Sequence, residues 1–202
     1  MEIGNKCRDF RGMTMVRYPS EETAEKHQRI LDQASKLFRE HGLSGVSVND
    51  LMKAADLTHG AFYNHFHSKQ ALYSDCIAHV SEVALAQIES CRPTDAGKRT
   101  FAASYASTAI RDEPGSACLM PSLGAEIGRE PAAKPAMTRY VAAFIGKIAS
   151  HFPWPSRQEA RRGAIRITAS LVGAMVLARA VDDDALSREI LKVVVSGINA
   201  RT

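Results

Sequence analysis

His59 and Asn64 are the side chains in this chain best suited to reading another molecule's hydrogen-bonding edge. Each can donate and accept. They stand five positions apart, with Thr58 before them and the small residues Gly60 and Ala61 between. A backbone so lightly covered permits close approach, and an imidazole beside a carboxamide suits the exposed edges of nucleic-acid bases. The hydroxyl of Ser47, with the backbone at that helix start, adds a site for a phosphate oxygen. Catalysis finds no comparable set: the 202 residues contain no nucleophile elbow, phosphate loop or metal-ligand cluster. His59, His65 and His67 lie close in sequence, but their spacing matches no familiar metal site. A plain exposed role for His59 stays open beside the base-reading one.

The elements that carry these residues are legible from caps and periodicity. Ser47 caps a short helix, with Asp50 three residues on as a short capping box and Val48, Leu51 and Met52 facing inward. Asp56 sits in a tight turn. Thr58 can cap the next helix, with Phe62 and Phe66 one turn apart on its buried side. Ser68 caps a longer helix over about 69–91 that stops before Pro93 and sets Leu72, Ile77, Val80, Ala84 and Ile88 on its apolar face. Two short helices around a tight turn, with a third following at once, form the layout of a helix-turn-helix, which places its second helix in the DNA major groove.

A first helix should begin near Ser20, with Glu21 and Glu22 at its positive end. Ile30, Leu31, Ala34, Leu37 and Phe38 form its apolar face, and Gly42 ends it. Leu43 and Val46 tuck the following loop into the core. Residues 1–19 lack periodicity and read as a flexible arm. The arm is either a leader, with translation starting later at Met13 or Met15, or a basic strand reaching the minor groove through Arg11 or Arg17.

Beyond residue 91 the pattern predicts helices over about 95–111, 119–129, 133–152, 157–180 and 184–199. Asp112–Gly115 reads as a turn, Phe152–Pro155 as a rigid connector, and Asp182–Asp184 as the last break, with Asp183 or Asp184 capping the final helix. Strand-like alternation is almost absent, so the expected class is all-α. The apolar run near 165–180 is interrupted by Arg166, Thr168, Ser170 and Arg179, and reads as too polar and too short for a membrane span. Four scattered cysteines, Cys7, Cys76, Cys91 and Cys118, form no C-x-x-C pair. With no signal-peptide pattern, they suggest a cytoplasmic protein with reduced thiols. The net charge is +4, yet residues 20–75 hold six Lys/Arg against eight Asp/Glu. Charge alone would not have pointed to DNA, although five of the seven histidines lie there, and a phosphate field favours their charged form.

The run Arg29-Ile-Leu, Ala34, Leu37-Phe38, Gly42, Ser47-Val, Leu51, Ala54-Ala55, Gly60-Ala-Phe-Tyr63-Asn-His65-Phe66, Ser68-Lys69 and Leu72 resembles the TetR/AcrR family of bacterial transcriptional regulators. The likeness spans roughly residues 20–75. Gly115–Leu123 and Leu171–Val181 resemble, more loosely, the ligand domain of one subgroup. The family usually has Gly where this chain has Asp56, a residue that tolerates positive φ better than most. The resemblance implies a three-helix DNA-binding domain over 20–67 and a larger helical ligand-binding and dimerisation domain over 68–202. It also implies that Thr58, Tyr63, His65 and Lys69 hold phosphates, although Tyr63 could simply pack beside the phenylalanines. The partners expected are a palindromic operator, a second copy of the chain and a small apolar inducer, with no cofactor, metal or membrane. The function implied is a repressor, not an enzyme.

Phe101, Tyr105, Met120, Met137, Tyr140, Phe144 and Ile148 could line an inducer cavity or be ordinary core. Arg166 and Ser170 are polar positions in an apolar helix, suited to ligand contacts or to an exposed face or dimer edge. Cys118, at a helix start beside a turn, reads either as a small buried residue or as a reactive sensor thiol. The sensor reading makes a redox- or electrophile-responsive regulator the alternative function. A helical protein with no DNA role is a further one. The small stripe Ala169, Val172, Gly173, Val176 and Ala180, with Ile190, Leu191, Val194, Val195 and Ile198, should pair the last two helices with a symmetry mate.

Overall fold

Residues 21–199 are described by a computed structural model, with side chains from Glu22 to Ile198. The arm, with Cys7, Arg11, Arg17, Met13 and Met15, and the Ser20 cap lie outside the described residues. Those described are helical, without a strand among them. The order is α1 (Glu21–His41), α2 (Val48–Ala54), α3 (Phe62–His65), α4 (Lys69–Ser90), α5 (Asp95–Tyr105), α6 (Thr108–Asp112), α7 (Leu119–Ile127), α8 (Lys134–His151), α9 (Arg157–Ala180) and α10 (Asp184–Asn199).

Local chemistry sets most boundaries. Gly42, at φ +78, ends α1 in the left-handed conformation that costs glycine nothing, and its N–H bonds Phe38 O at 2.9 Å. Ser68 Oγ accepts from Ala71 N at 3.1 Å to start α4. Asp183 Oδ1 accepts from Ala185 N and Leu186 N at 2.8 and 3.1 Å to start α10.

Two expected helix boundaries need correction. The helix expected over 95–111 breaks in two. Ala106 leaves helical geometry at ψ 43, and Ser107 caps α6 through Ile110 N at 3.3 Å. Thr58 stands in the cap position with extended backbone, but its hydroxyl makes no capping bond. Instead Ala61 N bonds Thr58 O at 3.0 Å, so the element opens as a 3-10 turn over His59–Ala61 before α3.

The N-terminal helices close around Ile30, Ala34, Phe38, Leu51, Met52, Phe62 and Phe66, all buried. The core runs on without a break along α4, through Leu72, Ile77 and Ile88, to Tyr140, Phe144 and Ile148 of α8 and Ile167 and Leu171 of α9. By length and composition α9 passes as a membrane span, with mean hydropathy 1.4, contrary to the sequence expectation. Its packed inner face, from Ala164 to Ala178, is that of a core helix. The connector between α8 and α9 is held by Lys98. Its buried ammonium donates to Pro153 O at 2.9 Å, meets Asp95 at 3.1 Å and lies 4.1 Å over the Trp154 ring. Trp154 in turn packs on Gly163, where any Cβ would overlap the indole.

Candidate nucleic-acid interface

The start of α2 is a closed capping box. Ser47 Oγ accepts from Asp50 N at 3.2 Å and donates to Asp50 Oδ2 at 2.5 Å, while Ser47 N donates to the same oxygen at 3.0 Å. These bonds hold the Asp50 carboxyl below its ordinary range, the side-chain bond from Ser47 contributing most. Ser47 therefore already spends its hydroxyl on the cap. Asp56 makes the turn at φ +55, the one positive-φ non-glycine among the described residues. Leu57 N then returns to Met52 O at 2.8 Å.

The rest of the interface stands on two phenylalanines. Phe62 and Phe66 are buried with ring centroids 5.6 Å apart, and Tyr63 meets the edge of Phe62 at 5.3 Å. Tyr63 nevertheless stays 63% exposed, so core packing is not its main role. Thr58, His59, Gly60 and Asn64 are exposed beside it, and the space before Gly60 is open. Ala61 is half-buried. These residues make one surface of hydroxyl, imidazole, carboxamide and bare backbone.

His65 and Lys69 are set differently. His65 is half-buried, its ring 5.8 Å from that of His27 on α1. Burial, then His27 and Lys26, push its imidazole pKa down. Lys69 turns inward. Its ammonium donates to Leu43 O at 2.7 Å and lies 5.9 and 5.6 Å from the Phe38 and Tyr73 rings, and burial lowers its pKa. In this arrangement its first partner is the loop after α1 rather than an outside phosphate.

That loop ties the interface to the rest of the molecule. Leu43 O also accepts from the buried Tyr73 hydroxyl at 3.1 Å, and Leu43 N donates to Glu126 Oε2 of α7 at 2.7 Å. Burial first, then Glu130 and Glu126, raises the Tyr73 phenol to about 12, so it stays a donor. From α1, Arg39 donates to Ala117 O at 2.8 Å, just before α7. Glu126, Arg39 and Tyr73 were missed in the sequence. Each is a lone polar group whose partner lies far along the chain.

The expected ligand residues divide into two groups. Phe101, Tyr105, Tyr140 and Phe144 converge with ring centroids 6.0–6.4 Å apart between α5 and α8. Met120 is buried, and Met137 is half-buried against the same core. Cys118, half-buried at the start of α7, lies 3.2 Å from the Tyr140 hydroxyl. The Tyr105 hydroxyl is buried near this thiol, yet no hydrogen bond closes on it. Burial, then the Cys118 thiol, drives both phenols above their ordinary range. Arg166 and Ser170 lie elsewhere. They are exposed and line a groove of about 200 Å³ between α9 and α10, with Trp154, Ile167, Val194 and Ile198. Helical spacing turns both toward α10 and solvent, away from the aromatic cluster. Arg166 meets Glu159 at 3.5 Å. A polar group of α9 that does reach the inner helices is Arg179, which donates to Ile110 O, Arg111 O and Ser122 Oγ at 2.8, 3.0 and 3.1 Å.

A capped helix, a tight left-handed turn and a short helix carrying an exposed hydrogen-bonding face define the helix-turn-helix class. Comparison with known proteins narrows the class. Residues 30–76 match the model of the bacterial regulatory proteins, tetR family. The regulator AcrR of Shigella flexneri is 40% identical over 75 residues, which are 37% of this chain and 34% of that one. The repressor DhaR of Mycobacterium sp. (strain GP1) is 43% identical over 44 residues, 22% of each chain. The match thus spans about a third or less of these relatives' length. A TetR-family regulator from Streptomyces coelicolor superposes with TM-score 0.69 at 21% identity, covering 88% of this chain and 96% of that one. Another from Chloroflexus aurantiacus reaches 0.70 at 20% identity, covering 90% and 96%. Residues 30–76 are thus similar to the DNA-binding region of tetR-family regulatory proteins, and the chain as a whole shares the fold of solved TetR-family structures.

Proposed function

We propose that this protein is a ligand-responsive, sequence-specific DNA-binding transcriptional regulator, a repressor released from a palindromic operator by a small apolar molecule. The observation that carries this reading is the exposed face of His59, Gly60, Tyr63 and Asn64 on the Phe62–Phe66 base, behind a properly capped α2. His59 and Asn64 select bases. Thr58 and Tyr63, with His65, hold phosphates, and the exposed end of α2 at Ser47 adds backbone contact. Lys69 reaches phosphate only by sharing its ammonium with Leu43.

A homodimer presents two such faces about 34–36 Å apart. Two features support it: the exposed apolar side chains Ile165, Val176, Leu177 and Val193 on α9 and α10, and the small residues Ala169, Gly173 and Ala180 among them. The cluster of Phe101, Tyr105, Met120, Met137, Tyr140 and Phe144 is where the inducer enters. Cytoplasmic location follows from this role. The test is a binding assay with duplex DNA from upstream of the coding region. A salt-sensitive, sequence-selective complex supports the reading, and its absence from any duplex opposes it.

A second reading is favoured by one observation. The Cys118 thiol faces the Tyr140 hydroxyl, and the Tyr105 hydroxyl beside it has no partner. The Tyr140 phenol is placed to donate to the Cys118 sulfur, so on this reading the trigger would be an electrophile or oxidant rather than a reversible ligand. Cys118→Ser abolishes release from DNA by such a reagent on this reading and leaves it intact on the first.

A further inference from the structure

Where α1 meets α3, two imidazoles face each other. His27 stacks on Phe66 at 4.7 Å and 23°, and its ring centroid is 5.8 Å from that of His65. Lys26 stands next to it on α1, its charge partly answered by Glu22 at 2.6 Å. Neither imidazole meets a carboxylate among the described residues. His79, by contrast, pairs with Asp32 at 2.8 Å, and His151 bonds Cys91 O at 2.8 Å. The groups that act on His65 are His27 and Lys26, both from α1, and no carboxylate of α2 or α4 offsets them. Two protonated rings at this distance repel each other, and burial adds to the cost. The missing element is an anion from outside, and both rings are only half-buried.

We propose that His27 is a further DNA-contact residue, which with His65 and Lys26 grips a backbone phosphate as a protonated imidazole pair, so that DNA binding takes up protons. The inference rests on the DNA-binding reading above. The phosphate supplies the negative charge that α1 and α3 lack, and each ring that is neutral in the free protein gains one proton from solvent as the complex forms. Ordinary imidazoles titrate near pH ~6.5, so uptake falls in the physiological range. Each proton taken up makes affinity fall roughly tenfold per pH unit across the window between free and bound values.

The experiment measures fluorescence anisotropy of a duplex enriched by this protein from a random-sequence pool, at about pH 6 and about pH 8 and constant salt. Affinity is expected to fall roughly ten- to a hundredfold with rising pH. His27→Gln should flatten that slope with weak binding throughout. His27→Lys should flatten it with binding at about pH 8 roughly tenfold tighter than wild type, a rescue that a merely structural role for His27 does not give. His67→Gln should keep the full slope. An unchanged slope in both His27 variants overturns the proposal, as does loss of the slope in His67→Gln. Because His27→Gln removes the ring that stacks on Phe66, the wild-type His27 ring is also titrated by NMR with and without the duplex. An upward shift on binding is expected, and an unmoved titration overturns the proposal. Tight but pH-independent binding by wild type refutes this inference alone, whereas no binding at any pH refutes the DNA reading with it.

Discussion

Glu126 Oε2 accepts a hydrogen bond from Leu43 N at 2.7 Å, joining α7 to the loop after α1 across 83 positions of sequence. The Leu43 carbonyl is held at the same time by Lys69 and Tyr73 of α4. One loop residue is thus bonded to both α7 and α4, the helices that lie between the aromatic cluster and the His59–Asn64 face. A shift of α7 or α4 must either carry Leu43 with it or break a charge-assisted bond. Packed elements with alternative arrangements transmit a signal in this way.

Removing that carboxylate should loosen the link. Glu126→Ala is expected to cost about 1–3 kcal/mol, the range for a buried amide losing a charged partner. Glu126→Gln, which keeps an acceptor, should cost roughly half as much. Amide hydrogen exchange at Leu43 reads the effect directly. It should quicken in both variants, more in the alanine, and an unchanged rate would mean that the bond carries little.

The turn between α2 and α3 depends on a left-handed Asp56. Asp56→Gly should leave stability within about 1 kcal/mol, relief of strain offsetting glycine's backbone entropy. Asp56→Val, β-branched and intolerant of positive φ, should cost about 1–2 kcal/mol and displace α3. Urea unfolding of the three proteins gives the order, and a valine variant as stable as wild type would contradict the turn geometry.

Acid should weaken the α2 cap before it weakens the hydrophobic core. The Ser47 bonds depress the folded Asp50 pKa, so the box stabilises fully above the unfolded value near ~3.9. That contribution is lost as pH falls through the depressed folded value, when protonation removes an acceptor. Asp50→Asn should therefore show a smaller stability loss than wild type between about pH 5 and about pH 2. Thermal unfolding across that range checks the sign. Equal acid sensitivity would show that the box is not titrating.

How much of this was legible in the sequence follows the range of the interactions. Ser47, Asp50, Ser68, Gly42 and Asp183 act on neighbours within a few residues, so their roles could be read directly. Phe62, Phe66 and the α4 face were equally clear, because burial repeats with the helix period. The break at Ala106 was hidden because helical periodicity continues on both sides of it. Arg166 and Ser170 looked like ligand groups because an apolar helix surrounded them, but α9 has two apolar faces and they belong to the outer one. Lys69 pointed to phosphate only through the family pattern, and Leu43 claims it from 26 positions away. Glu126, Arg39 and Arg179 are single charges on amphipathic helices, which sequence alone reads as solvated.

Whether the proposed DNA-binding face is the one around Tyr63 is decided by duplex binding of wild type and Tyr63→Ala over a range of salt concentrations. Tyr63 is mostly exposed, so the variant should keep the wild-type melting temperature. The expected result is a sequence-selective wild-type complex whose affinity falls steeply with salt, and a variant weakened by about 1–3 kcal/mol on every duplex. A fully folded Tyr63→Ala protein that binds the selected duplex as tightly as wild type would show that this face does not hold DNA.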